Sequence, residues 1–277
     1  MRDSDADPGS NDATLFELEA VGGLWGRRLE PRRAGLDELA WGEIGARSSP
    51  DDREAARVVW TESAFSEYAS AAAFAAIATA LLEAGAPIDL TAAAGEFVAD
   101  EMFHAELSAR VAMALGGAVP LEVDLTRLAR PATPGGSALR RAAELVVRTS
   151  CVGEALTVPV LRLARQQASG ALAGILGRIA RDEAQHAQLG PWFLDWAEGR
   201  LTDDDRAHLG VVAGETIRSF SPLFARGCVP SSSLGVLACD DYDAVFARAL
   251  DQRVVGPLAE RGIAVPVADL AALGITR

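Results

Sequence analysis

The chain has 277 residues, 49% of them hydrophobic, a formal net charge of −13 and a pI near 4.7. That is enough apolar content for one large core, and the acidity argues against nucleic acid or an anionic membrane as a partner. All 26 basic residues are arginine, so Schiff-base chemistry on a lysine is excluded.

Residues 1–12 are acidic and polar and read as a disordered tail without the basic and apolar regions of a signal peptide. Residues 13–50 read as an irregular N-terminal arm packed on the main body. It holds a short amphipathic piece around Leu15 to Leu24, an Arg-rich stretch from Gly26 to Arg33, then Leu36 to Ile44. Ser48-Ser49-Pro50-Asp51-Asp52 starts a helix, with a capping hydroxyl and acids in the first turn. That first long helix spans about 52 to 84 and stops at Gly85-Ala86-Pro87; the second starts near Asp89 and ends at Gly116-Gly117. Residues 118–136 form a long connection containing Pro120, Pro131, Pro134 and Gly135-Gly136. The third helix spans about 137 to 168 with a kink expected at Pro159, and the fourth about 171 to 199 with Pro191 inside it. Thr202 and three aspartates cap a further helix to about Phe224, residues 225–240 read as loop, and Asp241 to Val255 is the last helix. The most apolar stretch, Ala69 to Leu82, is too short to span a bilayer. Little of the chain alternates with period two. The expectation is therefore all-α: a four-helix bundle over residues 51–200 with a long crossover after its second helix, and a helical C-terminal extension over 201–277 packed on it.

The chemistry is concentrated in a repeated hexapeptide. Asp100-Glu101-Met102-Phe103-His104-Ala105 and Asp182-Glu183-Ala184-Gln185-His186-Ala187 share the pattern D-E-x-x-H-A and contain two of the three histidines. Glu and His three apart share a helix face, so each copy points a carboxylate and an imidazole the same way. Glu67 precedes Glu101 by 34 residues and Glu154 precedes Glu183 by 29, the span of a helical hairpin. The candidate metal ligands, which are also the candidate catalytic residues, are Glu67, Glu101, His104, Glu154, Glu183 and His186. Oxygen and imidazole donors suit iron or manganese. Four carboxylates would balance two ferrous ions, whereas without metal they would repel or take up protons.

Asp100 and Asp182 are placed to hydrogen-bond the imidazole on the opposite helix. Cys151 and Thr157 lie one turn before and after Glu154, so both are expected on its face: the thiol as a redox group or small filler, the hydroxyl as a proton relay or bonded to its own helix. Glu62 is the rival of Glu67, but it lies about 140° away around the helix, so the two cannot both face the metal. Tyr68 points about 100° from Glu67 and is not read as a radical site. His208 falls outside the pattern and reads as a surface residue. Cys151, Cys228 and Cys239 form no C-x-x-C pair, which excludes a zinc ribbon, a rubredoxin-like iron site and a thioredoxin motif. An odd count with no framework fits a reducing cytosol, so a cytoplasmic protein is expected.

Glu67-Tyr68-Ala69-Ser70, the two D-E-x-x-H-A segments and Cys151-Val152-Gly153-Glu154 resemble the ferritin-like di-iron carboxylate proteins, bacterial ferritin-like domain proteins above all, over about residues 55–200. The resemblance implies a ferritin-like bundle and O₂ or peroxide activation at two irons, with Mn/Fe or manganese as alternatives. Ferroxidases, fatty-acid desaturases, the radical-generating ribonucleotide reductase subunit, bacterial monooxygenases and arylamine N-oxygenases all share this motif, so it does not select a reaction. The extra sequence on both sides of the bundle favours an oxygenase or oxidase: a small-molecule substrate, an external electron donor such as a reductase or ferredoxin, and a monomer or homodimer. The alternatives are a ferroxidase, or a metal-stabilised bundle that binds a partner without catalysis.

Overall fold

Ser49 opens the longest helix. Its hydroxyl accepts from the Asp52 backbone N–H at 3.1 Å, Pro50 occupies the first turn, and Asp51 and Asp52 face the positive end of the dipole. In this computed structural model, which describes residues 13–220, 228–229 and 232–266, the chain is predominantly helical. The tail expected at 1–12 and the last turn expected before Phe224 lie outside the described residues.

Two short helices, α1 (Gly23–Gly26) and α2 (Glu30–Arg33), precede α3 (Pro50–Glu83) and α4 (Ile88–Ala114). A turn through Gly85, at φ +63°, joins the last two. The third long helix is composite: α5 (Ala138–Val146), a π-helical segment (Val147–Glu154) and α6 (Ala155–Gln167). The expected kink at Pro159 is thus displaced toward the N-terminus. Pro159 has no N–H to give the carbonyl a turn earlier, and the irregular hydrogen bonding sits in the stretch that ends on Glu154. Then come α7 (Gly170–Ala197), α8 (Asp203–Ser219), α9 (Cys239–Ala249), a second π-helical segment (Leu250–Val255) and α10 (Gly256–Glu260). A capping box between Thr202 and Asp205 starts α8.

α3 lies along α4, and α6 along α7; the two hairpins meet through α4 on α7 and α3 on α5. The connection between α4 and α5 carries β2 (Glu122–Val123), which pairs antiparallel with β1 (Thr14–Leu15) of the arm. Phe16 follows, edge-on to Phe65 and Tyr68 of α3. Leu15, Leu18 and Leu24 remain exposed, so the apolar side chains of the expected amphipathic piece do not join the core, whereas Leu36 and Ile44 do.

Two apolar clusters fill the interior. One holds Phe74, Phe97, Leu189 and Phe193 with residues of α8, α9 and α10; the other holds Trp60, Phe103, Leu107, Ile175 and Ile179 with Leu36 and Ile44. Each long helix contributes to both, and on α3 and α7 the charged residues fall between the two contributions. Each large apolar side chain so buried contributes roughly 1.5–3 kcal/mol, enough to hold a polar layer between them.

Two sequence expectations are corrected here. Cys228 and Cys239 form a disulfide. Sequence shows only two cysteines eleven apart; the fold-back that joins them needs Leu234 and Gly235 at positive φ and the bridge between Val229 and Ala238. Second, α3 is long and apolar enough by itself to cross a membrane, more than the stretch Ala69 to Leu82 suggested. It carries Glu67 and packs along α4, as a core helix does.

Candidate metal centre

Six side chains converge in the layer between the apolar clusters. α3 supplies Glu67, α4 supplies Glu101 and His104, the first π-helical segment supplies Glu154, and α7 supplies Glu183 and His186. Donor atoms of Glu67, Glu101, His104 and Glu183 lie within 4.8 Å of one another, and so do those of Glu101, Glu154, Glu183 and His186. The two sets share Glu101 and Glu183. Each set offers three carboxylates and one imidazole, and each could hold a cation.

The distances follow an approximate two-fold pattern. His104 Nδ1 lies 2.9 Å from Glu183 Oε1 and 3.8 Å from Glu101 Oε2. His186 Nδ1 lies 2.8 Å from Glu183 Oε2 and 2.9 Å from Glu101 Oε1. Each ring turns Nε2 toward the aspartate of the other motif: His104 to Asp182 at 3.3 Å, and His186 to Asp100 at 3.6 Å, the latter beyond hydrogen-bond range. The aspartates are held in turn. Arg32 donates to Asp100 at 2.7 Å, and Arg178 to Asp182 at 3.1 Å.

Glu101, His104 and His186 are fully buried, and Glu183 nearly so. Among the described residues neither oxygen of Glu101 has a hydrogen-bond partner, although His186 Nδ1 lies 2.9 Å from one of them. Burying a carboxylate so is costly, and a cation held between it and its neighbours removes the cost. The residues present therefore fit a metal pair.

Protonation tells the same story. Burial first, then the charges of Glu183 and Glu101, push Glu67 and Glu154 well above the carboxylate range. Burial opposes charge on the imidazoles too, but the surrounding carboxylates outweigh it; His104 is raised well and His186 is pushed up to about 12. Burial would also raise Glu183, yet hydrogen bonds from both imidazoles hold it below its ordinary range. Without a cation, protons neutralise this cluster.

Phe97 and Phe74 stand 4.3 and 5.1 Å from the His186 ring, and wall it from water. On the other side a cavity of ≈ 260 Å³ opens onto Glu67 and Glu154. Ser108 and Thr157 also line it, and its outer wall is Phe220, Gly235, Val236, Leu237 and Tyr242. Gly235 is required there: at φ +82°, a Cβ on it would lie 3.0 Å from the Trp60 ring. Trp60 Nε1 donates to Leu234 O at 2.9 Å and fastens that wall to α3.

The remaining singled-out residues fall as follows. Thr157 donates to Gly153 O at 3.0 Å, so its hydroxyl hydrogen is committed to its own helix. Glu62 borders the cavity but lies outside both donor sets. Cys151 does not share the face of Glu154: it lines a different cavity and packs on Gly190. The wider turn of the π-helical segment breaks the three-residue alignment that an α-helix would give. Burial pushes its thiol up to about 12. His208 is not a plain surface residue, since it sits 3.0 Å from the buried Glu144, which Arg148 and Thr133 also bind. Sequence reasoning missed Arg32, Arg178, Ser108 and the outer wall of the cavity. Only the arginine run of the arm hinted at the first.

The site thus defines a class: a buried carboxylate–imidazole cluster able to hold metal. Scans against protein-family models, curated proteins and solved structures find no match for the chain.

Proposed function

We propose that this chain is a non-heme di-iron oxidoreductase of the ferritin-like type, which uses O₂ to oxidise a small organic substrate. The observation that carries this reading is the cavity of ≈ 260 Å³ that meets the donor cluster at Glu67 and Glu154 and is walled in part by residues after the helical hairpins. An iron-storing bundle has no use for such a chamber, whereas an enzyme needs one to place a substrate beside its metals. The doubled motif, the two packed hairpins and the long connection between α4 and α5 support the ferritin-like reading.

Glu67, Glu101, His104, Glu154, Glu183 and His186 would hold two ferrous ions, with Mn/Fe or manganese as alternatives, in a site neutral overall. When bound, the metals supply the redox chemistry toward O₂, and an external donor such as a reductase or ferredoxin supplies electrons. The protein's own residues do the rest. Asp182 orients His104 through a hydrogen bond, Asp100 faces His186 as a neighbouring charge, and Arg32 and Arg178 fix the aspartates. Phe74 and Phe97 exclude water from one side. Ser108, buried with an unpartnered hydroxyl in the cavity wall, offers a hydrogen bond to a polar group on the substrate. A monomer or homodimer completes the proposal.

Retention of iron tests it. The chain, loaded anaerobically with Fe(II) and exposed to O₂, is expected to oxidise no more than about two Fe(II) per chain before stalling without reductant, with the iron still bound. A cage-sized particle that mineralises many irons per chain would favour the ferroxidase reading and overturn this one.

A further inference from the structure

We propose that a second cavity, sharing no residue with the first, binds a small organic carboxylate. It measures ≈ 420 Å³ and lies against another face of α6, between α7 and the segment from Leu250 to Arg261. Its floor is apolar, built from residues such as Val158, Leu194 and Leu258. Arg162, Arg253 and Arg261 border it, and among the described residues no carboxylate side chain lines it. In a chain of net charge −13, an acid-free basic cavity is a specific arrangement rather than a sample of the surface.

Arg261 is already engaged, donating to Asp195 at 2.9 Å and to Pro257 O at 3.2 Å. The side chains of Arg162 and Arg253 make no hydrogen bond or ion pair within the described residues, so their guanidinium forks are open to a ligand, although both also border a neighbouring cavity that Asp241 lines. A second, independent observation comes from the wall. Ser150 is fully buried, lines this cavity, and its hydroxyl has no partner among the described residues. A buried hydroxyl left unpaired is unfavourable unless something occupies the space it faces. Planar guanidinium donors match a carboxylate, and the apolar floor asks for a short hydrocarbon body behind it. The cluster at Glu101 and His186 plays no part in this assignment.

Calorimetric titration of the full chain with sodium octanoate, octan-1-ol and inorganic phosphate tests the inference. Octanoate is expected to bind at least about tenfold more tightly than either of the others, since only it carries both head and body. The double charge reversal Arg162→Glu, Arg253→Glu should weaken octanoate at least about tenfold and leave octanol unchanged. Both arginines are exposed, so the fold and the metal content should survive. Ser150→Ala, a milder variant, should weaken octanoate several-fold. Equal binding of octanoate and octanol, phosphate as tight as octanoate, or full octanoate affinity in the charge-reversed variant would each overturn the proposal.

Discussion

Glu101 has the environment that most requires a cation: fully buried, with two oxygens that find no donor among the described residues. Glu101→Ala, Glu183→Ala, His104→Ala and His186→Ala are each expected to abolish binding of a metal pair, read as iron per chain after anaerobic reconstitution. His208→Ala should leave that stoichiometry intact, because its partner is Glu144. Asp100→Asn and Asp182→Asn keep every direct donor, so they should weaken metal retention by roughly 10–100-fold rather than remove it, which chelator competition would measure. The protonation pattern adds a pH dependence. Glu67, Glu154, His104 and His186 are all raised in the fold, so the metal-free fold binds protons that the unfolded chain releases. Stability from these groups is present below their ordinary values and is lost as pH rises through the folded ones. Glu183 and Asp100 are lowered, and their contribution is lost only in acid. A cation replaces the protons, so metal-induced stabilisation should be larger at about pH 8 than at about pH 6. Melting temperatures with and without Mn(II) would show it, and a shift that shrinks toward pH 8 would refute the assignment of these groups as ligands.

At the scale of elements, one contact decides where Glu154 sits and another holds the connection before its helix. Gly190 of α7 lets the first π-helical segment approach so closely that a Cβ there would lie 2.6 Å from Cys151 Sγ and 3.2 Å from its backbone nitrogen. Gly190→Ala should cost about 1–3 kcal/mol by overpacking and displace Glu154, lowering metal content. Adding Cys151→Ala should recover part of the stability, because the thiol clash goes while the backbone contact remains; denaturant melts of the single and double variants measure both. The other contact anchors the α4–α5 connection. Glu144, almost fully buried, accepts from the Thr133 backbone and hydroxyl and pairs with Arg148 and His208, while Arg148 also donates to Pro131 O at 2.9 Å. Glu144→Ala strands Arg148 and should destabilise the fold by about 3 kcal/mol, with metal stoichiometry unchanged. The arm is a similar device. Through Arg32 on Asp100 and Arg33 on Glu106 it grips α4 at the level of the motif, so deleting residues 1–33 should loosen metal retention more than it lowers the melting temperature.

For the whole molecule, the chamber beside the donor cluster is walled in part by residues that the helical hairpins do not contain, and the proposed turnover rests on that chamber. Light scattering is expected to find a monomer or dimer. Sequence by itself determined the helical class, the ends of the four long helices to within a few residues, and the six residues that meet. Helix ends are local: Ser49, Gly85, Thr202 and Asp205 act on their own neighbours. The pairing of Glu with His within each motif is local too, because one helical turn sets it. Tertiary structure decided the rest. The π-helical segment, which parts Cys151 from Glu154, depends on Gly190 of another helix as well as on nearby Pro159. The disulfide, Arg32 on Asp100, His208 on Glu144 and the cavity's outer wall join positions that no helical period relates. Such contacts form only when separate segments are packed together, and a single sequence carries no periodic signal for them.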